Sequence, residues 1–118
     1  MKLNFSSENS RKSHQLRQDL RIQASFLVDV ILDHGRAVFG KLEDLSLNGA
    51  KLRLPVCLAP GSLLALELAN HHLTIKATCR WSVPHDLTVG SYITGISFNE
   101  MNADQYAQLR QILFSLAG

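Results

Sequence analysis

The sequence predicts a mainly β chain: a small six-stranded antiparallel β-barrel with a C-terminal α-helix and a flexible N-terminal arm. Three observations lead there. A long segment alternates apolar and other residues with a period of two. Closely spaced turn signals then divide the chain into short strands. Only the C-terminus changes to a helical period.

The first strand is Ile22 to Leu32, where Ile22, Ala24, Phe26, Val28, Val30 and Leu32 form one apolar row between Gln23, Ser25, Leu27, Asp29 and Ile31. His34-Gly35-Arg36 reads as a turn, and a second strand follows from about Ala37 to Glu43. Asn48-Gly49 supplies a hairpin turn before Ala50, Leu52 and Leu54 alternate with Lys51 and Arg53. Pro55 and Pro60-Gly61 interrupt the ladder. Leu63 to Ala69 and Leu73 to Trp81 are two further strands joined over Asn70-His71-His72. In the latter strand Leu73, Ile75, Ala77, Cys79 and Trp81 face one way. Tyr92 to Phe98, after a loop with Pro84, Asp86 and Gly90, is the last. Such strands argue for a small barrel and against a doubly wound parallel sheet.

The helix spans about residues 102–116. Asn102 is placed to cap it, Gln105 completes a capping box, and Tyr106, Leu109, Leu113 and Leu116 make an apolar stripe. That stripe predicts a helix packed on the barrel or closing one of its openings; the same stripe would also serve a dimer.

Composition places the 118 residues in one globular domain, with 46% hydrophobic and 19% charged residues. Residues 1–16, rich in Ser, Asn and Lys, read as a flexible basic arm, and 17–118 as the domain. The longest apolar region, Leu54 to Ala69, carries Pro55, Pro60, Gly61, Ser62 and Glu67 and does not suit a bilayer. No basic-then-apolar leader precedes it, so a cytoplasmic protein without membrane insertion is expected. Cys57 and Cys79 lie in apolar stretches without paired zinc spacing, which predicts buried thiols.

Charge is divided unevenly. Residues 1–21 hold Lys2, Arg11, Lys12, Arg17 and Arg21 against Glu8 and Asp19, whereas the remaining 97 residues hold seven basic and eight acidic groups. A general nucleic-acid binder spreads Lys and Arg over a folded face with aromatic platforms between them. A nearly neutral body makes nucleic acid a poor partner and favours a small anion held by a few arginines.

Two motifs carry the chemistry. Arg17-Gln18-Asp19-Leu20-Arg21 sets two arginines four positions apart in a segment with little to bury. Asp44-Leu45-Ser46-Leu47-Asn48-Gly49 closes the second strand and opens the third. In this order, with the long strand between them and a terminal helix after the barrel, they resemble the R-x-x-x-R and D/N-x-S-x-x-G motifs of the PilZ domain family. The resemblance covers nearly the whole chain and implies binding of the bacterial second messenger cyclic di-GMP, with signalling to an effector protein.

The residue types suit that ligand. An arginine fork pairs bidentately with phosphate oxygens or with guanine O6 and N7, and its plane stacks on a purine. Like charges at i and i+4 repel in the absence of ligand, so Arg17 and Arg21 form a clamp ordered by the anion, which couples binding to the position of the arm. Asp44 is suited to accept from the N1–H and N2–H₂ edge of guanine, Ser46 to exchange hydrogen bonds with a base or phosphate, and Gly49 to give positive φ and a close approach. Leu16, Asn48, Arg80 and Trp81 are possible secondary contacts, although Trp81 ends an apolar alternation and reads more readily as a core residue. In the family, a basic residue just before the first arginine favours a stacked ligand pair; Leu16 stands there, so one ligand per chain is expected.

Other chemistry is not favoured. His14, His34, His71, His72 and His85 lack ligand spacing, and no metal site or cofactor is expected. Ser46 has no histidine base, and neither a nucleophile elbow nor a phosphate loop is present, which argues against an enzyme. The alternatives are a PilZ-like adaptor that acts by protein contact without ligand, and a small barrel that binds single-stranded nucleic acid.

Overall fold

The structure, a computed structural model, describes residues 21–117. The residues 1–16 expected to form the arm, and Arg17 with them, lie outside the described residues. Among the described residues, strands β1 (Ile22–Leu32), β2 (Ala37–Leu45), β3 (Gly49–Leu54), β4 (Leu63–Leu68), β5 (Leu73–Pro84) and β6 (Tyr92–Phe98) precede the helix α1 (Ala103–Ala117). All neighbours are antiparallel in the order β1-β2-β3-β6-β5-β4, and β4 returns to β1 through Val30 opposite Leu66. The expected six-stranded barrel with its terminal helix is the fold. Closure runs through Asp29–Leu32 of β1 against Leu64–Glu67 of β4, so each described strand pairs on both sides over at least part of its length.

The interior is filled by the alternating rows. Val28, Val30 and Leu32 of β1 meet Leu42 of β2, Leu52 of β3, Leu66 of β4 and Ile75 of β5 in one buried cluster. Each buried aliphatic side chain of this kind contributes roughly 1.5–3 kcal/mol relative to exposure. Between β4 and β5 a short 3-10 turn, Ala69–His71, ends on His72 in the left-handed region (φ 52°), whose N–H donates to the Ala69 carbonyl at 3.1 Å.

The capping box forms as the sequence predicts. Asn102 Oδ1 accepts from the Gln105 N–H at 2.8 Å, and Gln105 Oε1 accepts from the Asn102 N–H at 3.0 Å. Gln105 Nε2 also donates to the Thr74 carbonyl at 2.9 Å, which ties the start of α1 to β5. The apolar stripe is shorter than expected: Leu109, Ile112 and Leu113 are buried, while Tyr106 and Leu116 are exposed. The helix reaches the core through its middle turns, so the ends of the stripe project past the barrel.

Two side chains depart from expectation. Cys79 is buried, but Cys57 is exposed, because it sits in the irregular segment between β3 and β4 with its thiol 3.8 Å from the Ser82 carbonyl. Trp81 is 43% exposed and not a core residue. In β5 the register passes from Cys79 opposite Ile96 to Trp81 opposite Gly95, so Arg80 is an extra residue and the row that buries Cys79 ends there. Among the described residues no helix is long and apolar enough to cross a membrane.

Candidate functional site

A second bulge displays the carboxylate of the D-x-S-x-x-G segment. Leu42 pairs with Leu52 and Asp44 with the adjacent Lys51, which leaves Glu43 as an extra residue in β2. Inward alternation is broken for one step: Glu43 and Asp44 both stay half-buried on the outer side, and Leu45 returns to the core. Bulges commonly re-aim side chains next to functional sites. Here the bulge at Glu43 turns Asp44 toward the chain entering β1.

That entry is Arg21. Its Nη1 donates to Asp44 Oδ1 at 2.9 Å, while Lys51 Nζ stands 3.7 Å from Oδ2. The Asp44 side chain is 13% exposed and that of Arg21 57%, so the carboxylate is fixed in the wall and the guanidinium reaches outward. The second arginine of the motif is thereby joined to the second motif. Its partner Arg17, together with Leu16, lies outside the described residues.

The remaining motif residues shape the wall. Ser46 is 2% exposed and its Oγ is committed to its own turn. It donates to the Gly49 carbonyl and accepts from the N–H groups of Asn48 and Gly49, each at 3.2 Å. The structure therefore gives Ser46 a turn-forming contact set in place of an open hydroxyl. Gly49 is not among the positive-φ glycines of the described residues, which are Gly35, Gly61 and Gly90. Its requirement is closeness: a Cβ there would fall on the Ile96 carbonyl of β6. Asn48 anchors the loop from the other side, accepting the Phe98 N–H at its carbonyl at 2.8 Å.

These parts line one open cleft of about 400 Å³ in which Arg21, Asp44, Asn48 and Gly49 face Arg80 and Trp81 across β3 and β6. Arg80 is held by its Nε donating to Ser97 Oγ at 2.8 Å. The ionic residues of the lining are Arg21, Lys51 and Arg80 against Asp44, an excess of positive charge beside an exposed indole. Such a surface can hold anionic oxygens with the cations, a hydrogen-bond donor edge with the carboxylate, and an aromatic plane with the indole. Among the described residues no group of three or more His, Cys, Asp or Glu side chains is arranged to hold a metal ion.

Sequence reasoning missed Lys51 and Gly95. Lys51 was legible as an outward residue two positions after Gly49. Gly95 was legible as an isolated glycine within an apolar strand, a common mark of close approach.

A closed six-stranded antiparallel barrel with a terminal helix and an Asp-x-Ser-x-x-Gly turn at a cationic cleft defines a small β-barrel domain. The PilZ domain family model matches residues 15–115, and the chain belongs to that family. Comparison with curated protein sequences gives no significant match. Among solved structures, the PilZ domain of YcgR from Escherichia coli with c-di-GMP is similar at 19% identity and a TM-score of 0.67, covering 83% of this chain and 88% of that one. The PilZ domain of CeSA from a cellulose-synthesizing bacterium is 25% identical, with a TM-score of 0.61 and coverage of 83% and 98%. The K. pneumonia MrkH complex with c-di-GMP is 20% identical, with a TM-score of 0.69; 86% of this chain covers 52% of that one.

Proposed function

We propose that this chain is a receptor for cyclic di-GMP, bound in the cleft between Arg21 and Trp81. The observation that carries the reading is the meeting of the two motifs: Arg21 and Asp44, distant in sequence, are in direct contact at the wall of a cationic cleft. Family membership and relatives solved with c-di-GMP support the same ligand. Arg21 and Arg17 pair with phosphate oxygens or a guanine Hoogsteen edge, Asp44 accepts from a guanine N1–H and N2–H₂ edge, and Arg80 and Trp81 flank a base. Ser46 and Gly49 act by shaping the turn that presents Asp44.

Binding neutralises Arg17 beside Arg21, which Asp44 already holds, and fixes the segment Leu16 to Leu20 against the barrel rim; an effector protein reads that segment or the face it covers. The protein works as a binding module in the cytoplasm without catalysis. Titration calorimetry with cyclic di-GMP tests the reading: saturable binding that is lost in Asp44→Ala is expected. No heat and no thermal stabilisation would favour an adaptor acting by protein contact alone. Steeply salt-dependent binding of generic oligonucleotides, indifferent to Asp44→Ala, would favour a nucleic-acid barrel.

A further inference from the structure

Trp81, the only tryptophan of the chain, owes its place to two features on neighbouring strands. The bulge at Arg80 in β5 ends the inward row at Cys79 and sets Trp81 opposite Gly95 of β6. In an unbulged register Arg80 would oppose Gly95, and Trp81 would oppose Thr94 and follow the inward row. Gly95 then supplies the space. A Cβ built there would collide with the indole at Cε2, Nε1 and Cζ2, the last at 2.7 Å. Gly95 is not one of the positive-φ glycines among the described residues, so the position demands a glycine for room and not for backbone conformation. An aromatic ring laid over a strand glycine covers otherwise bare backbone and loses rotational freedom.

We propose that Gly95 is the seat that fixes the plane of Trp81 as a preformed aromatic wall, on which one guanine of the ligand stacks. The stacking half rests on the cyclic di-GMP reading above; the seat itself does not. The Nε1, Cε2 and Cζ2 side of the indole lies against Gly95, and the residue is still 43% exposed in the cleft that Arg21 and Asp44 line. A wall held before the ligand arrives needs no ordering on binding, which strengthens association without a new contact. Gly95 is thus a positioning residue, and Trp81 the group that touches the base.

The single indole makes the test direct. In ligand-free Gly95→Ala the added methyl lifts the ring, so emission shifts to the red and acrylamide quenches it faster than in the wild type. Cyclic di-GMP affinity, read by calorimetry, falls about tenfold, the scale of one lost base stack. In a Trp81→Ala background, itself about tenfold weaker, Gly95→Ala has no further effect because there is no ring to displace. If Gly95→Ala alone fails to fold, Trp81→Ala must restore folding. Unchanged emission and quenching in Gly95→Ala would overturn the seat, as would a loss of affinity that persists undiminished in the Trp81→Ala background. Absence of binding by the wild type would overturn the stacked base, and the emission comparison would still decide the seat.

Discussion

Arg21 and Asp44 form an ion pair at 2.9 Å although 23 positions separate them, and the pair joins the end of the arginine motif to the start of the turn motif. The carboxylate is withdrawn into the wall, with Lys51 on its other oxygen, while the guanidinium is more than half exposed. Such an exposed pair adds little to stability, at most about 1 kcal/mol. Its larger consequence is geometric: Arg21 is aimed before any ligand arrives.

Arg21→Ala is therefore expected to weaken cyclic di-GMP binding by about 2 kcal/mol, because a charge-assisted pair is lost, while the melting temperature moves little. Arg21→Lys should lose nearly as much, since the ammonium keeps the charge but not the planar fork. Calorimetry and thermal melts on both variants give the two readouts. Full affinity in either variant contradicts the assignment.

Gly49→Ala should act on the fold first. The new methyl falls on the Ile96 carbonyl, which is fixed in the ladder between β3 and β6, so the strands must part. A loss of about 2 kcal/mol or more is expected, comparable to overpacking a core. For a domain of this size that lowers the melting temperature by about 8 °C or more.

The two thiols should separate cleanly by reactivity. Cys57 is exposed, whereas Cys79 is buried and its pKa is raised above the usual 9.0, first by desolvation and then by the neighbouring Cys57 thiolate. A maleimide reagent at neutral pH should label Cys57 rapidly and Cys79 only after denaturation. The raised pKa also has a sign for stability. Below pH 9.0 both states keep the proton and the contribution is complete; above it the unfolded chain ionises first, so stability falls as pH climbs through the folded value. Cys79→Ala should flatten this alkaline decline in urea melts, at the expense of lower stability at neutral pH.

The residue before Arg17 is expected to set the ligand number. With Leu16 before Arg17, one cyclic di-GMP per chain is expected, because leucine offers no fork for a second set of phosphates. Calorimetry at protein concentrations well above Kd reads the number directly. Leu16→Arg should raise it from about one to about two, and a wild-type value near two would show that Leu16 does not decide it.

The barrel was legible because its information is local and periodic. The inward row of β1, the bounds of β6 and the Asn102 and Gln105 cap each follow from spacing of neighbouring residues, and the structure agrees with them. The turn expected at Asn48-Gly49 falls between β2 and β3 but on Leu47 and Asn48, with Gly49 already paired to Ser97 in β3. The residues of the candidate site were legible in part for the same reason, as two motifs in one order. What the sequence by itself did not determine is where alternation slips. The extra residues Glu43 and Arg80 break the period by one step, and whether a strand accepts a bulge depends on the partner strand's register and on what lies beneath, here Lys51 and Gly95. Those two slips turn Asp44 toward Arg21 and Trp81 out of the core. Exposure of Cys57 and the shortened stripe of α1 were likewise settled by packing, because a run of apolar letters cannot say how much of it the barrel has room to cover.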